Sequence, residues 1–223
     1  MYTIQKKKWH LGNLKIASSD LIFQSFGNLS LRIDKNLFVI KPSGANLKKI
    51  KYQDYPVISI GTKENKNKLN PSVDTDFHLE IYKNFKQINC IVHTHSKYAT
   101  IWAQACKSIP NLGTTHSDYW LGKVPVTNIL SKKQIHSNYE KNIGKNIVKL
   151  LNKTFCYGVL IANHGPITFA ETLEDAILYS ERLEHVSEIA YKTIMLNKDT
   201  KISKDLVNKH YFRKHGKESY YGQ

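Results

Sequence analysis

The sequence predicts a single α/β domain, and three observations carry that prediction. Its 223 residues suit one domain that can bury most of its apolar surface around a single core. Short β-favouring runs dominate residues 20–60, and helix-period segments take over after residue 71, interleaved with two more strand-like runs. Nothing with the composition of an interdomain linker interrupts them. Apolar residues make up 41% of the chain, with 13 Tyr, 8 Phe and 3 Trp, which excludes a disordered or collagen-like protein.

The first strands fall between Asp20 and Lys41. LIFQSF, LSLRI and LFVIK are separated by Gly27-Asn28 and Asp34-Lys35-Asn36, and Pro42-Ser43-Gly44 ends the last. PVISI at 56–60 gives another strand, and the polar residues 62–70 an exposed loop. Pro71-Ser72 then opens a helix, because Phe77, Ile81 and Phe85 recur every four residues behind an acidic first turn. CIVHTH, residues 90–95, reads as a buried strand, and Ser96 as the cap of the helix that follows. YGVLIANHGP repeats this strand-to-turn pattern. It leads into the longest amphipathic stripe, residues 172–196, followed by a short helix at 203–212 and the tail RKHGKESYYGQ.

A net charge of +15 raises nucleic acid, membranes or small anions as partners. Only three cations are arginines (Arg32, Arg182, Arg213), and the lysines are scattered, often beside Asn as in TKENKNKLN. That pattern reads as a solvated surface, so no nucleic-acid partner is expected. Cys90, Cys106 and Cys156 form no CxxC pair and fit a reducing compartment. No run approaches the roughly 20 apolar residues of a membrane span, and no secretory leader is evident, so a cytoplasmic location without membrane association is expected.

The sharpest chemical signal is His93-Thr94-His95, because side chains two apart on a strand share a face. His164 ends an independent strand at the NHGP turn, and Asp74 follows Pro71-Ser72 with a carboxylate. Three histidines and one acid suit a divalent transition ion such as zinc. A closed structural zinc site would be richer in thiolates, so a catalytic ion is favoured. The turns Gly27-Asn28, Lys41-Pro42-Ser43-Gly44 and Pro71-Ser72 collectively offer the backbone N–H groups, hydroxyls and cation that a phosphate monoester needs.

GNLSLR, KPSG, PSVDTDFH, IVHTHSKYATIWAQA, GTTHSDYW, NHGP and HYFRKHGKESYYGQ, in that order over nearly the whole chain, resemble the class II aldolase/epimerase family. The resemblance implies a mainly antiparallel central sheet flanked by helices, in one domain spanning residues 1–223. It implies zinc held by Asp74, His93, His95 and His164. Phosphate-end binding falls to Gly27, Asn28, Ser43, Gly44, Ser72 and Val73, and acid/base catalysis to Asp118 and Tyr221. Lys41, Thr114 and His210 are supporting candidates. The implied assembly is a C4 homotetramer in which the tail 213–223 brings Tyr221 to a neighbouring subunit's site. The implied activity is interconversion of L-ribulose 5-phosphate and D-xylulose 5-phosphate by C3–C4 cleavage and re-formation, as used in L-arabinose or L-ascorbate breakdown. The alternative is an aldolase of L-fuculose 1-phosphate type. Those carry Glu where this chain has Asp74, and the YYGQ tail also favours the epimerase. Non-enzymatic, cytoskeletal relatives of the fold lack the metal histidines, which are all present here. Two departures stand out: Val73 replaces a frequent Ser, which predicts weaker substrate affinity, and Ala162 replaces a position that can be His.

Overall fold

The computed structural model describes residues 2–24, 26–46, 49–67, 69–217 and 219–221. Its centre is a sheet of six strands: β1 (Asn28–Asp34), β2 (Leu37–Ile40), β3 (Val57–Ser59), β4 (Cys90–His93), β5 (Gly158–Leu160) and β6 (Pro166–Ala170). Their spatial order is β3-β2-β1-β4-β6-β5, and every adjacent pair is antiparallel. The helices are α1 (Thr3–Ala17), α2 (Thr75–Asn84), α3 (Lys97–Gln104), α4 (Thr114–Ser117), α5 (Lys132–Ile135), α6 (Tyr139–Leu151), α7 (Leu173–Leu196) and α8 (Lys204–Phe212).

The strands read as continuous apolar runs because both faces of the sheet are covered. Phe38, Ile40, Ile91 and Phe169 face one layer with Phe77 and Ile81 of α2 and Ile143 and Ile147 of α6. Their neighbours Leu37, Val39, Cys90 and Val92 point the other way, to Trp9 and Ile16 of α1 and Leu173, Ala176 and Ile177 of α7. α3 packs on the later turns of α7 through Ala99, Trp102, Ala103, Leu183, Val186 and Ala190.

Both edge strands are covered. Beyond β3, the 64–66 segment lies antiparallel, with Ser59 N–H donating to Glu64 O (2.9 Å) and Lys66 N–H to Val57 O (2.9 Å). Beyond β5, Leu160 N–H donates to Pro125 O and Thr127 N–H to Leu160 O, both at 2.8 Å.

The expected antiparallel α/β architecture is the one observed, with local corrections. The run 21–26 is no strand: among its described residues Gln24 is left-handed (φ 56°) and Phe23 and Phe26 are exposed, so no neighbour completes a ladder. The strand begun at Cys90 stops at His93, leaving His95 beyond its end. α1 and α6 form where the sequence reading placed no element. No helix among the described residues is long and apolar enough to cross a membrane.

Candidate metal centre

Three chain segments meet at one end of the sheet. Asn28, at the start of β1, pairs with His93 at the end of β4, and His93 pairs in turn with Ile167 of β6. His95 follows two residues on, and the Ile161–Gly165 turn delivers His164 from the other side. That turn is closed by His164 N–H to Ile161 O (3.0 Å) and Ile161 N–H to Gly165 O (2.9 Å), with Asn163 in the left-handed region (φ 60°) that Asn tolerates. Gly165 is required by contact: a Cβ there would sit 2.8 Å from Thr94 O.

The three imidazoles form a near-equilateral triangle, with ring centroids 4.8–5.0 Å apart, and one nitrogen of each lies within 4.8 Å of the others. His93 Nδ1 donates to Pro166 O (2.9 Å), which leaves Nε2 as a buried lone pair with no protein partner. His164 Nδ1 is likewise buried and unpartnered. Burial keeps the rings neutral: His93 titrates well below the usual histidine range, His164 is pulled down to about 4, and His95 is also lowered. Neutral nitrogen donors converging in this way, two of them buried without internal partners, fit a divalent transition ion.

Asp74 stands outside that 4.8 Å cluster, at the N-terminus of α2. Its Oδ2 accepts from Asn28 Nδ2 at 2.6 Å, so the carboxyl and the triad share one sheet end through the Asn28–His93 pair. Burial raises its pKa to about 6, against the hydrogen bond from Asn28 and the charge of buried Lys41.

The three Gly/Ser turns also converge. Ser72 N–H donates to Lys41 O (2.8 Å), Ser43 N–H to Asn70 O (3.0 Å), and Asn28 Nδ2 approaches Ser72 Oγ (3.4 Å). Gly44 is left-handed (φ 62°) with open space where a side chain would be. Gly27 has a packing reason of its own: φ is +85° and a Cβ would meet His93 O at 2.6 Å. Val73 is 69% exposed.

Asp118 belongs to a second cluster. Its Oδ1 accepts from His210 Nδ1 (3.0 Å) and Arg213 Nη2 (3.0 Å), its Oδ2 from Lys214 Nζ (3.0 Å), and its backbone O from His215 Nε2 (2.9 Å). Burial favours its neutral form, but hydrogen bonds from Lys214, His210 and Arg213 prevail and hold its pKa below the usual carboxylate range. Thr114 opens α4, and its carbonyl accepts Asp118 N–H at 3.0 Å. Tyr221 lies on its own chain's α8 end, its ring 4.6 Å from the Arg213 guanidinium and 4.8 Å from Lys214 Nζ. Glu218, Gly222 and Gln223 of the tail lie outside the described residues. Among the described residues no hydrogen bond, ion pair or ring contact joins this cluster to the triad.

One capping expectation is corrected. Ser96 makes no capping bond; Glu184 of α7 supplies it, accepting Tyr98 N–H at 2.8 Å and Ala99 N–H at 3.0 Å. Sequence reasoning missed Glu184 because it lies 86 residues along the chain from the Tyr98 N–H it accepts.

Residues 12–191 match the sequence profile of the class II aldolase and adducin N-terminal domain. Among solved structures the chain is similar to an L-fuculose 1-phosphate aldolase (24% identity, TM-score 0.81, covering 93% of this chain and 94% of that one). It is also similar to YgbL, a putative aldolase/epimerase/decarboxylase from Escherichia coli (20%, 0.73, 93% and 98%). A third is the L-fuculose-1-phosphate aldolase of Thermus thermophilus (18%, 0.70, 89% and 99%). At these identities the likeness is one of fold.

Proposed function

The chain belongs to the class II aldolase and adducin N-terminal domain family, and on that footing we propose that it is a zinc-dependent epimerase interconverting L-ribulose 5-phosphate and D-xylulose 5-phosphate. The observation that carries the reading is the triangle of neutral histidines His93, His95 and His164 beside three converging phosphate-competent turns. C4 of the pentulose is not adjacent to the C2 carbonyl, so its C–H is not acidic and simple deprotonation cannot invert it. Removing the O4 proton lets the C3–C4 pair of electrons collapse toward C2, giving a dihydroxyacetone enediolate and glycolaldehyde phosphate. Turning the aldehyde and re-forming the bond inverts C4. His93, His95 and His164, with Asp74 as the further residue, would hold the zinc, which would supply Lewis-acid stabilisation of negative charge developing on the sugar oxygens.

The protein's own groups do the rest. Asn28, Ser43, Gly44, Ser72 and Val73 hold the phosphate through the Ser43 and Ser72 hydroxyls and the N–H groups of Gly44 and Val73, with Asn28 placing the Ser72 hydroxyl and Lys41 supporting, and so keep the aldehyde fragment bound while it turns. Asp118, held ionised by hydrogen bonds from Lys214, His210 and Arg213, takes the role of accepting the O4 proton, and the Tyr221 phenol that of returning one to the re-formed alkoxide. In the proposed C4 tetramer Tyr221 serves the neighbouring subunit's triad.

The test is to give zinc-loaded protein L-ribulose 5-phosphate and follow D-xylulose 5-phosphate, with His95→Asn and Tyr221→Phe alongside. Product formation that needs zinc and both residues is expected. Cleavage of L-fuculose 1-phosphate without epimerisation would assign the aldolase reaction instead.

A further inference from the structure

We propose that Glu184, on α7, is a positioning residue for the metal triad, acting through α3 as a strut between its two halves. The inference rests on the reading of His93, His95 and His164 as metal ligands, and goes beyond it in naming what holds them in register. α3 starts two residues after His95 and ends against the turn that carries His164. Asn163 N–H donates to Ala103 O at 2.9 Å and Asn163 Nδ2 to Gln104 O at 3.4 Å, so the last turn of α3 fixes the turn of the third histidine. The same helix therefore sets the distance from the 93–95 segment to residue 164.

What fixes α3 is on α7. The first-turn N–H groups of a helix have no partner within it, and Ser96, at the N-cap, makes no bond to them. Glu184 accepts two of them, one on each carboxylate oxygen, at 2.8 and 3.0 Å. An anion at this helix terminus also meets the positive end of its dipole. One turn further along both helices, Trp102 Nε1 donates to Ser187 O at 3.0 Å, so α3 is pinned at two points and cannot rotate about either. Of the two pins only Glu184 is charged, and it grips the end of α3 next to His95. Loss of that grip frees the His95 end to shift while leaving the buried α3–α7 contact in place.

The test reads metal binding rather than turnover. Purified apo-protein and the variants Glu184→Ala, Glu184→Gln and His164→Asn are titrated with Co²⁺, followed by ligand-field absorption, and with Zn²⁺ in competition with a chromophoric chelator. Circular dichroism at the same temperature reports the fold. Glu181→Gln is the control, since Glu181 sits on the same helix in an ion pair with Lys15 of α1. The expected result is a weakening of about 10- to 100-fold in Glu184→Ala, the range seen when an outer-layer partner of a metal ligand is lost, with altered cobalt absorption. Glu184→Gln, which keeps the shape, should fall between, and Glu181→Gln should match wild type. Unchanged affinity in folded Glu184→Ala or Glu184→Gln, with His164→Asn still impaired, would overturn the positioning role alone. Wild-type protein that binds no cobalt would overturn the metal reading and this inference together.

Discussion

His78 and His116 show how burial sets proton affinity at single residues. His116 donates Nε2–H to Gly122 O (2.8 Å) and is pulled down to about 4, and His78, bonded to Ser30 at 2.7 Å, to about 3, in both cases chiefly by desolvation. Each is neutral when folded and protonated near pH 6.5 when unfolded, so acid favours the unfolded chain. Stability of the apo-protein should be full above about pH 6.5 and fall as pH drops toward about 4, by up to about 1.4 kcal/mol per pH unit for each histidine. The triad histidines act in the same direction. Asp74, raised to about 6, acts in the opposite one and offsets only one proton. Urea melts from pH 7.5 to 4.5 would show the slope. Val73 makes a second residue-scale prediction: Val73→Ser restores a hydroxyl at an exposed turn position and should lower KM about fivefold, one neutral hydrogen bond's worth. An unchanged or higher KM would remove Val73 from the phosphate turn.

Among the elements, α2 and α6 make the tightest helix contact seen in the glycine environments. A Cβ at Gly144 would lie 2.7 Å from Glu80 Cβ and 2.8 Å from Phe77 Cα. Gly144→Ala should therefore force the helices apart and cost about 1–3 kcal/mol, measured as a lower urea midpoint at constant slope. This helix was not legible in the sequence reading, although Ile143, Ile147 and Leu151 recur every four residues, because the Asn- and Lys-rich intervals masked the stripe. α1 hides more thoroughly: its buried face is Trp9, Gly12, Asn13 and Ile16, and Asn13 is admitted only because its Nδ2 bonds Trp9 O at 2.8 Å. α7 and the HTH and HGP histidines were legible, since periodicity and motif are local. Glu184 and the Asp118 clamp were not, because they join residues far apart in the chain.

For the whole molecule, the proposed trans contribution of the tail has a direct consequence. Asp118→Asn and Tyr221→Phe subunits, each inactive alone, should regain activity when co-expressed if the two residues of a working site come from different chains. Sedimentation velocity should show the four-subunit species in wild type and both variants. No recovery in hybrids that do assemble would place both groups on one subunit, consistent with the contacts of Tyr221 to its own Arg213 and Lys214.

The covered margins of the sheet decide how copies can meet. Residues 64–66 and 125–127 already take up backbone groups of β3 and β5 that would template an incoming strand. A β-ladder running from one molecule to the next is thereby disfavoured, and with it domain-swapped or fibrillar growth. Any assembly must be built from helix and loop surfaces, whose side-chain complementarity can close a ring of fixed size instead of an open-ended stack.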